Sequence, residues 1–328
     1  MSPPYDTNTT SDELVKDYAD FIKGKVVLTT GVSPGGLGAA FVLAIAKAKP
    51  SLLILAGRDS KKVAQTAADV AAINPNVKTR DLLVDLESLQ NVREAAAMVN
   101  SWTDVPAIDV VMNNAALMAV EYGKSVDGFE RQLAANHLGH FLLTNLIMDK
   151  ILASTSPRVV FVSSAGHRFN PFRFGDYNFD DGKSYNKWRG YGQSKTANIL
   201  TALSLAKKLG HRGLQAYSLH PGVIMTNLGN HLDWQKDIEG CRQVDSAMGN
   251  EEAFRTGFGA VKSMERGVAT HIYAAFDPNL SEHNGSYLLD CHVGDPFTET
   301  VKPWATSHVE AEKLWVLSQK LVGQEFSY

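Results

Sequence analysis

The β-branched run Lys25-Val-Val-Leu-Thr-Thr30 passes directly into a turn carrying Gly31, Gly35, Gly36 and Gly38, and that turn leads into an apolar segment from about Ala39 to Lys47. A strand, a glycine turn and a helix in this order restrict the chain severely. Short apolar strands without alternation are buried on both faces, and parallel neighbours need a crossover element that then covers the sheet. The alternation continues, with strands predicted over Leu52 to Ala56, Thr79 to Val84, Ile108 to Met112, Arg158 to Val162, Leu214 to Leu219 and Ser286 to Asp290. Helices are predicted over Ser60 to Ile73, Glu87 to Trp102, Val126 to Leu152, Gly192 to Leu209 and Arg266 to Phe276, and one more closes the chain.

The predicted fold is α/β, a single-domain doubly wound (Rossmann) parallel sheet with helices on both faces. Residues 1–23 read as a polar lead-in, in which Leu14, Val15, Tyr18, Phe21 and Ile22 recur at helical spacing after Ser11 and Asp12. Residues 24–328 read as one domain with insertions at about 165–190 and 229–264, and no repeat of fixed period interrupts it. A hydrophobic fraction of 44% and a charged fraction of 20% suit a chain that buries a substantial core. The net charge of -3 and scattered Lys and Arg leave no stripe for nucleic acid. Cys241 and Cys291 stand far apart, so neither a disulfide framework nor a metal site is expected. The apolar run Ala39 to Ala46 is far short of the roughly 20 residues that span a bilayer. Met1 to Thr10 lacks the basic and apolar segments of a secretory signal, so a cytoplasmic protein without membrane contact is expected.

Glycines between a first strand and a first helix permit a tight turn and let backbone N–H groups approach a pyrophosphate at the helix N-terminus. The second strand ends Leu55-Ala56-Gly57-Arg58-Asp59, where such a fold meets the adenosine ribose. Arg58 offers a planar cation for a 2′-phosphate, which favours NADP(H); Asp59 could instead accept from a free 2′-hydroxyl. Asp85-Leu86 and Asn113-Asn114-Ala115 follow the third and fourth strands at the same sheet edge. Asp85 could equally cap a helix, and the asparagines could satisfy their own loop backbone.

Tyr191 and Lys195 are four residues apart on a predicted helix, which stacks phenol and ammonium on one face. A nearby cation favours phenolate and so eases proton release. Ser163 and Ser164 end the fifth strand, and Asn136 lies within the preceding long helix. Taken in order, Thr30-Gly31 to Gly38, Asp85, Asn113-Asn114-Ala115, Asn136, Ser164, Tyr191 with Lys195, and Pro221-Gly222 resemble the motif series of short-chain dehydrogenases/reductases, over about residues 24 to 290. The resemblance implies that Ser164, rather than Ser163, polarises the substrate oxygen. It implies that Tyr191 exchanges its proton, that Lys195 holds the nicotinamide ribose and acidifies Tyr191, and that Asn136 positions a relay water. Gly31, Ser33, Gly36, Leu37, Gly38, Arg58, Asp85, Leu86, Asn113, Asn114 and Ala115 would contact NADP(H), joined by Tyr191, Lys195, Pro221, Val223 and Thr226. The glycine turn is one residue longer than the family's usual one, which alters the contacts of Ser33 and Gly35. The 26 residues between Ser164 and Tyr191 are similar to the retinol-dehydrogenase-like and WW-domain-oxidoreductase-like branch, here without an N-terminal anchor.

That long stretch carries Phe169, Phe172, Phe174, Tyr177, Phe179, Tyr185 and Trp188, rings that wall a pocket or pin the loop to the body of the domain. Residues 229–264, with Trp234, Met248, Phe254, Phe258 and Met264, read as a flap over an apolar substrate or as a crossover helix. His137, His140, His167 and His220 lack metal spacing and are assigned structural roles. The expected activity is reduction of a ketone or aldehyde on a medium-sized apolar or aromatic molecule, as in specialised metabolism. The alternatives are alcohol oxidation and an idle NADP(H)-binding sensor, against which the intact tyrosine set argues. Members of the family often form dimers or tetramers through the two helices flanking the catalytic segment.

Overall fold

In a computed structural model of the chain, residues 5–250 and 261–328 are described. The lead-in folds as α1 (Ser11–Asp17) and α2 (Ala19–Ile22), the first closed by a capping box between Thr10 and Glu13. Leu14, Val15, Tyr18 and Ile22 are buried as their spacing predicts, whereas Phe21 is exposed. Then follow β1 (Val26–Thr30), α3 (Leu37–Ala46), β2 (Leu52–Gly57), α4 (Ser60–Ile73), β3 (Lys78–Leu83), α5 (Leu89–Ser101) and β4 (Val110–Asn113). The second half contains α6 (Arg131–Leu133), α7 (Gly139–Leu146), α8 (Met148–Leu152), β5 (Arg158–Val162), α9 (Lys187–Leu209) and β6 (Gln215–His220). It continues with α10 (Trp234–Ala247), α11 (Met264–Phe276), β7 (Tyr287–Leu289), β8 (His292–Val293), α12 (Pro303–Thr306) and α13 (His308–Val322).

The strands form one sheet in the order β3-β2-β1-β4-β5-β6-β7-β8, parallel except for β8. Because β1 neighbours both β2 and β4, the chain reverses direction across the sheet there and opens a crevice at the strand ends. Two apolar layers cover the sheet. Leu28, Ile54, Val111 and Phe161 pack on one side with residues of α5, α7, α9 and α13, while Val27, Leu53, Met112 and Val160 pack on the other with α1, α3 and α11.

The single helix expected over Val126 to Leu152 is broken. After α6 the backbone takes a π turn over Ala134–Leu138, and a second irregularity at Ile147 separates α7 from α8. The wider turn brings the His140 ring onto the carbonyl of Asn136 and the Asn136 side chain onto Leu117 and Ser194. Residue 139 must be glycine here, since a Cβ would stand 2.5 Å from the Leu86 carbonyl oxygen. The closing helix α13 lies across α7 and α9, with Trp315 edge-on to Phe141 and Ser318 bonded to His137. The chain's C-terminal segment thus covers one side of this helical layer.

Burial holds His137, His140, His167, His220 and His271 far below the ordinary imidazole range, at about 3 or about 4. In the unfolded chain they take up protons near pH ~6.5, so acid drives unfolding, by up to about 1.4 kcal/mol per pH unit for each ring. Glu130, whose carboxyl burial raises, works in the opposite direction and offsets at most one of them. The stabilisation is complete above about pH 6.5 and declines as pH falls through the range between the unfolded and folded values. We expect the thermal unfolding midpoint to fall gently from about pH 8 to about pH 7, where the buried Lys195 amine, lowered to about 7, takes up a proton on unfolding, and then to drop more steeply towards about pH 5; a midpoint unchanged from about pH 7 to about pH 5 would contradict the assignment of these rings as buried and neutral.

Candidate active site

At the end of β1 the chain turns through Gly31, whose φ of +73° and neighbours leave no room for a side chain: a Cβ would lie 2.7 Å from the Ala115 Cα. The Thr30 hydroxyl is a hub. It accepts the N–H groups of Asn114 and Ala115 at 2.9 and 3.0 Å and lies 2.8 Å from His140 Nε2. With both lone pairs engaged, the hydroxyl donates to Nε2, which leaves the His140 proton on Nδ1 facing the Asn136 carbonyl at 3.1 Å. Asn114 donates to the carbonyls of Thr30 and Gly31. Gly36 then caps α3 with no side-chain acceptor, so the first N–H groups of the helix remain open toward a cleft that Gly31, Ser33, Gly36 and Leu37 line. The additional residue of the turn is held from outside, where the Asn227 amide donates to the Pro34 carbonyl at 2.9 Å.

Farther along the cleft stand Arg58, Asp85, Leu86 and Glu87. Glu87 is gripped by Arg131 at 2.6 and 3.1 Å and lies 3.4 Å from the Arg58 guanidinium, which is largely exposed. Asp59 spends one carboxylate oxygen on the N–H groups of Lys61 and Lys62 as the cap of α4. Asp85 accepts from the Glu87 N–H at 3.0 Å, while Ser88 caps α5.

The opposite end of the cleft carries the proposed chemistry. Asn186 caps α9, so the helix begins at Lys187, ahead of the predicted start at Gly192, and Tyr191 lies inside it. Tyr191, Lys195, Ser163 and Ser164 all line the cleft. The Lys195 Nζ donates to the Val162 carbonyl at 2.8 Å and stands 5.5 Å from the centre of the Tyr191 ring. Ser163 donates to the Lys195 carbonyl, whereas the Ser164 hydroxyl accepts the Gly166 N–H at 2.9 Å and is a hydrogen-bond partner of the Tyr191 phenol. Burial pushes the phenol up to about 12, against the lowering effect of Ser164, and pushes the Lys195 amine down to about 7. Desolvation is the largest influence on each of the two groups.

Three of the expected site residues do not line this cleft. Asn113 is buried, with its amide donating to Thr144; Gly38 packs where a Cβ would meet the Asn114 amide at 2.5 Å; and Asn136 spends its side chain on Leu117 and Ser194. The remaining cofactor positions, Asn114, Ala115, Pro221, Val223 and Thr226, do line it. Of the aromatic insertion, Phe169 and Trp188 reach the cleft, while Phe172 and Phe174 pack on the core and Phe179 and Tyr185 pack on each other. From the second insertion, α10 closes the far wall. Trp234 lines the cleft, Cys241 and Val244 join Phe169 and Trp188 in an apolar cluster, and Asp245 pairs with Arg168 at 2.8 Å; Phe254 and Phe258 lie outside the described residues. Met118, Arg168 and Asn227 also line the cleft without any mark in their local sequence, and so does His220, to which the sequence assigns a structural role. Among the described residues no group of acidic, histidine or cysteine side chains could hold a metal ion, and no helix is long and apolar enough to cross a membrane.

The cleft encloses about 1080 Å³, room for an extended dinucleotide and a small molecule beside it. Its glycine turn, open helix N-terminus and buried amine with one acceptor fit a nicotinamide dinucleotide.

Residues 25–178 match the family model for short chain dehydrogenase. The chain is 36% identical to the short-chain dehydrogenase/reductase prx1 of Penicillium rubens, over 97% of this chain and 92% of that protein. It is 34% identical to retinol dehydrogenase 13 of Homo sapiens, over 95% of this chain and 91% of the relative, and 34% identical to the chloroplastic short-chain dehydrogenase TIC 32 A of Brassica napus, over 90% and 88%. Among solved structures, an uncharacterized protein from Mycobacterium Paratuberculosis superposes with a TM-score of 0.68 at 29% identity, covering 94% of this chain and 96% of the other. Levodione reductase shares the fold, with a TM-score of 0.62 at 19% identity over 82% of this chain and 96% of the other. A doubly wound sheet, a glycine turn at its switch point and a Ser164, Tyr191 and Lys195 cluster at its carboxyl edge agree with these likenesses, and the chain belongs to the short-chain dehydrogenase/reductase family of oxidoreductases.

Proposed function

We propose that the protein is an NADP(H)-dependent reductase of ketones or aldehydes, acting on a medium-sized apolar or aromatic small molecule. The observation that carries this reading is the convergence of Ser164, Tyr191 and Lys195 on one wall of a cleft whose other end is the glycine turn. Lys195 has one hydrogen-bond acceptor among the described residues, the Val162 carbonyl, and its remaining N–H donors suit the ribose hydroxyls of the cofactor. When bound, the nicotinamide supplies the hydride. Ser164, whose oxygen accepts the Gly166 N–H with one of its two lone pairs, donates a hydrogen bond towards the substrate oxygen, and Tyr191 gives up the proton that the developing alkoxide takes.

A phenol at about 12 is protonated at neutral pH, which is the state reduction needs. Alcohol oxidation would run the same proton step in reverse, from the phenolate. The rings of Phe169, Trp188 and Trp234 and the side chain of Met118 give the substrate end an apolar lining. Preference for NADP(H) rests on Arg58, because Asp59, the acidic alternative, is engaged as a helix cap. Asn136, held by Leu117 and Ser194, acts in this reading as a positioning residue that keeps α9 and the loop after β4 in register.

Removing the phenol oxygen should separate an enzyme from an idle cofactor-binding module. Tyr191→Phe is expected to lower kcat for carbonyl reduction by about 10²–10⁴-fold while the NADPH dissociation constant moves by less than about threefold. Undiminished turnover would remove Tyr191 from the reaction. Arg58→Asp is expected to cut kcat/KM for NADPH by about 10–100-fold and to improve the use of NADH; an unchanged ratio of the two cofactors would show that the 2′-phosphate is not read at residue 58.

A further inference from the structure

His220 departs from the other histidines near the site. His137, His140 and His167 each spend ring nitrogens on Ser318, on Thr30 and the Asn136 carbonyl, and on the Ser164 carbonyl respectively, which accounts for them as packing residues. His220 ends β6, one residue beyond Leu219, which is in register with Val162 of β5. It therefore stands beside the step from Ser163 to Ser164, and it lines the same cleft as Ser164, Tyr191 and Lys195. Nδ1 is buried and has no hydrogen-bond partner among the described residues; Nε2 is not sealed in this way.

A neutral imidazole carries one proton and one free lone pair. Burial keeps this ring neutral, at about 3, with Asp290 opposing and Lys262 and Arg168 reinforcing that effect. Leaving a buried N–H without an acceptor is the rarer and costlier choice, so the lone pair falls on Nδ1 and the proton on Nε2. The cleft wall thus carries an N–H donor close to the serine proposed to bind the reacting oxygen. Arg168, a cation on the same wall, is bonded to Asp245.

We propose that His220 is a specificity-determining residue whose Nε2–H donates to a second oxygen of the substrate, so that dicarbonyl compounds, such as vicinal diketones, are favoured over monoketones of the same shape. This rests on the reductase reading above and narrows its substrate class. A site built to hydrogen-bond one oxygen discriminates against an analogue that lacks it, because the buried donor is then left unpaired.

Benzil and deoxybenzoin have the same skeleton and differ in the second carbonyl. With NADPH, His220→Leu is expected to reduce kcat/KM for benzil by about 10–100-fold and that for deoxybenzoin by less than about threefold, with His220→Gln, which restores an N–H donor, recovering part of the benzil activity. An equal fall for both ketones, or an unchanged value for benzil, overturns the proposal. So does a matching rise in the NADPH dissociation constant of His220→Leu, which would put the donor on the cofactor. Turnover of either ketone by the unaltered protein reports on the reductase reading separately. If neither is reduced, binding is read by quenching of Trp188 and Trp234 fluorescence: benzil affinity lost selectively in His220→Leu upholds the donor, and parallel affinities for the two ketones overturn it.

Discussion

A lysine amine buried at the end of a parallel strand and anchored on a single backbone carbonyl is the constraint around which this protein is arranged. Lys195 reaches the Val162 oxygen because α9 lies along β5 and β6, and it leaves N–H donors uncommitted because no carboxylate among the described residues takes them. Desolvation lowers the amine to about 7 and raises the neighbouring phenol to about 12. Such a pair is unfavourable in isolation and is tolerable where a ligand brings hydroxyl acceptors and a substrate oxygen to it. The sheet supplies the position, the two apolar layers supply the burial, and the cleft supplies the access.

The two ends of the cleft are mechanically joined. The Thr30 hydroxyl ties the glycine turn to the loop after β4 and, through His140, to the π turn; Asn136 in that turn ties the same loop to Ser194 of α9. One chain of hydrogen bonds thus runs from the cofactor turn to the helix bearing Tyr191. On the substrate side, Arg168 and Asp245 form a buried pair between the segment after Ser164 and α10. A buried pair of this kind contributes little net stability but is costly to break on one side only, which fixes α10 over the cleft.

The sheet was legible because its strands are apolar throughout and its turns are marked by glycine, and the strand and helix limits over residues 24–113 agree with the structure to within about two residues. Tyr191, Lys195 and Ser164 were legible as spacing and as strand-end position. What escaped was set by contacts remote in sequence. The apolar pattern from Val126 to Leu152 is continuous with one helix, and only the approach of Leu86 to Gly139 and the bonds of Asn136 reveal a wider turn. Two adjacent asparagines cannot be told apart by composition, yet Asn113 is buried in the core and Asn114, tied to the glycine turn, lines the cleft. His220 resembled the packing histidines until its unpartnered nitrogen and its cleft wall were seen together. The rise of the Tyr191 phenol depends on how deeply the ring is covered, which four-residue spacing does not encode.

The central claim is that this cleft carries hydride from a nicotinamide to a carbonyl carbon while its own residues handle the proton. Isotope transfer tests it most directly. NADPH bearing deuterium at one face of the nicotinamide reacting carbon, and in a second run at the other, is incubated with the protein and a ketone, and the alcohol is analysed by mass spectrometry and proton NMR. The account predicts that one of the two labels passes to the carbinol carbon, one deuterium for each NADPH consumed, while the oxygen takes its proton from solvent. NADPH binding with no label in the alcohol from either cofactor would contradict it.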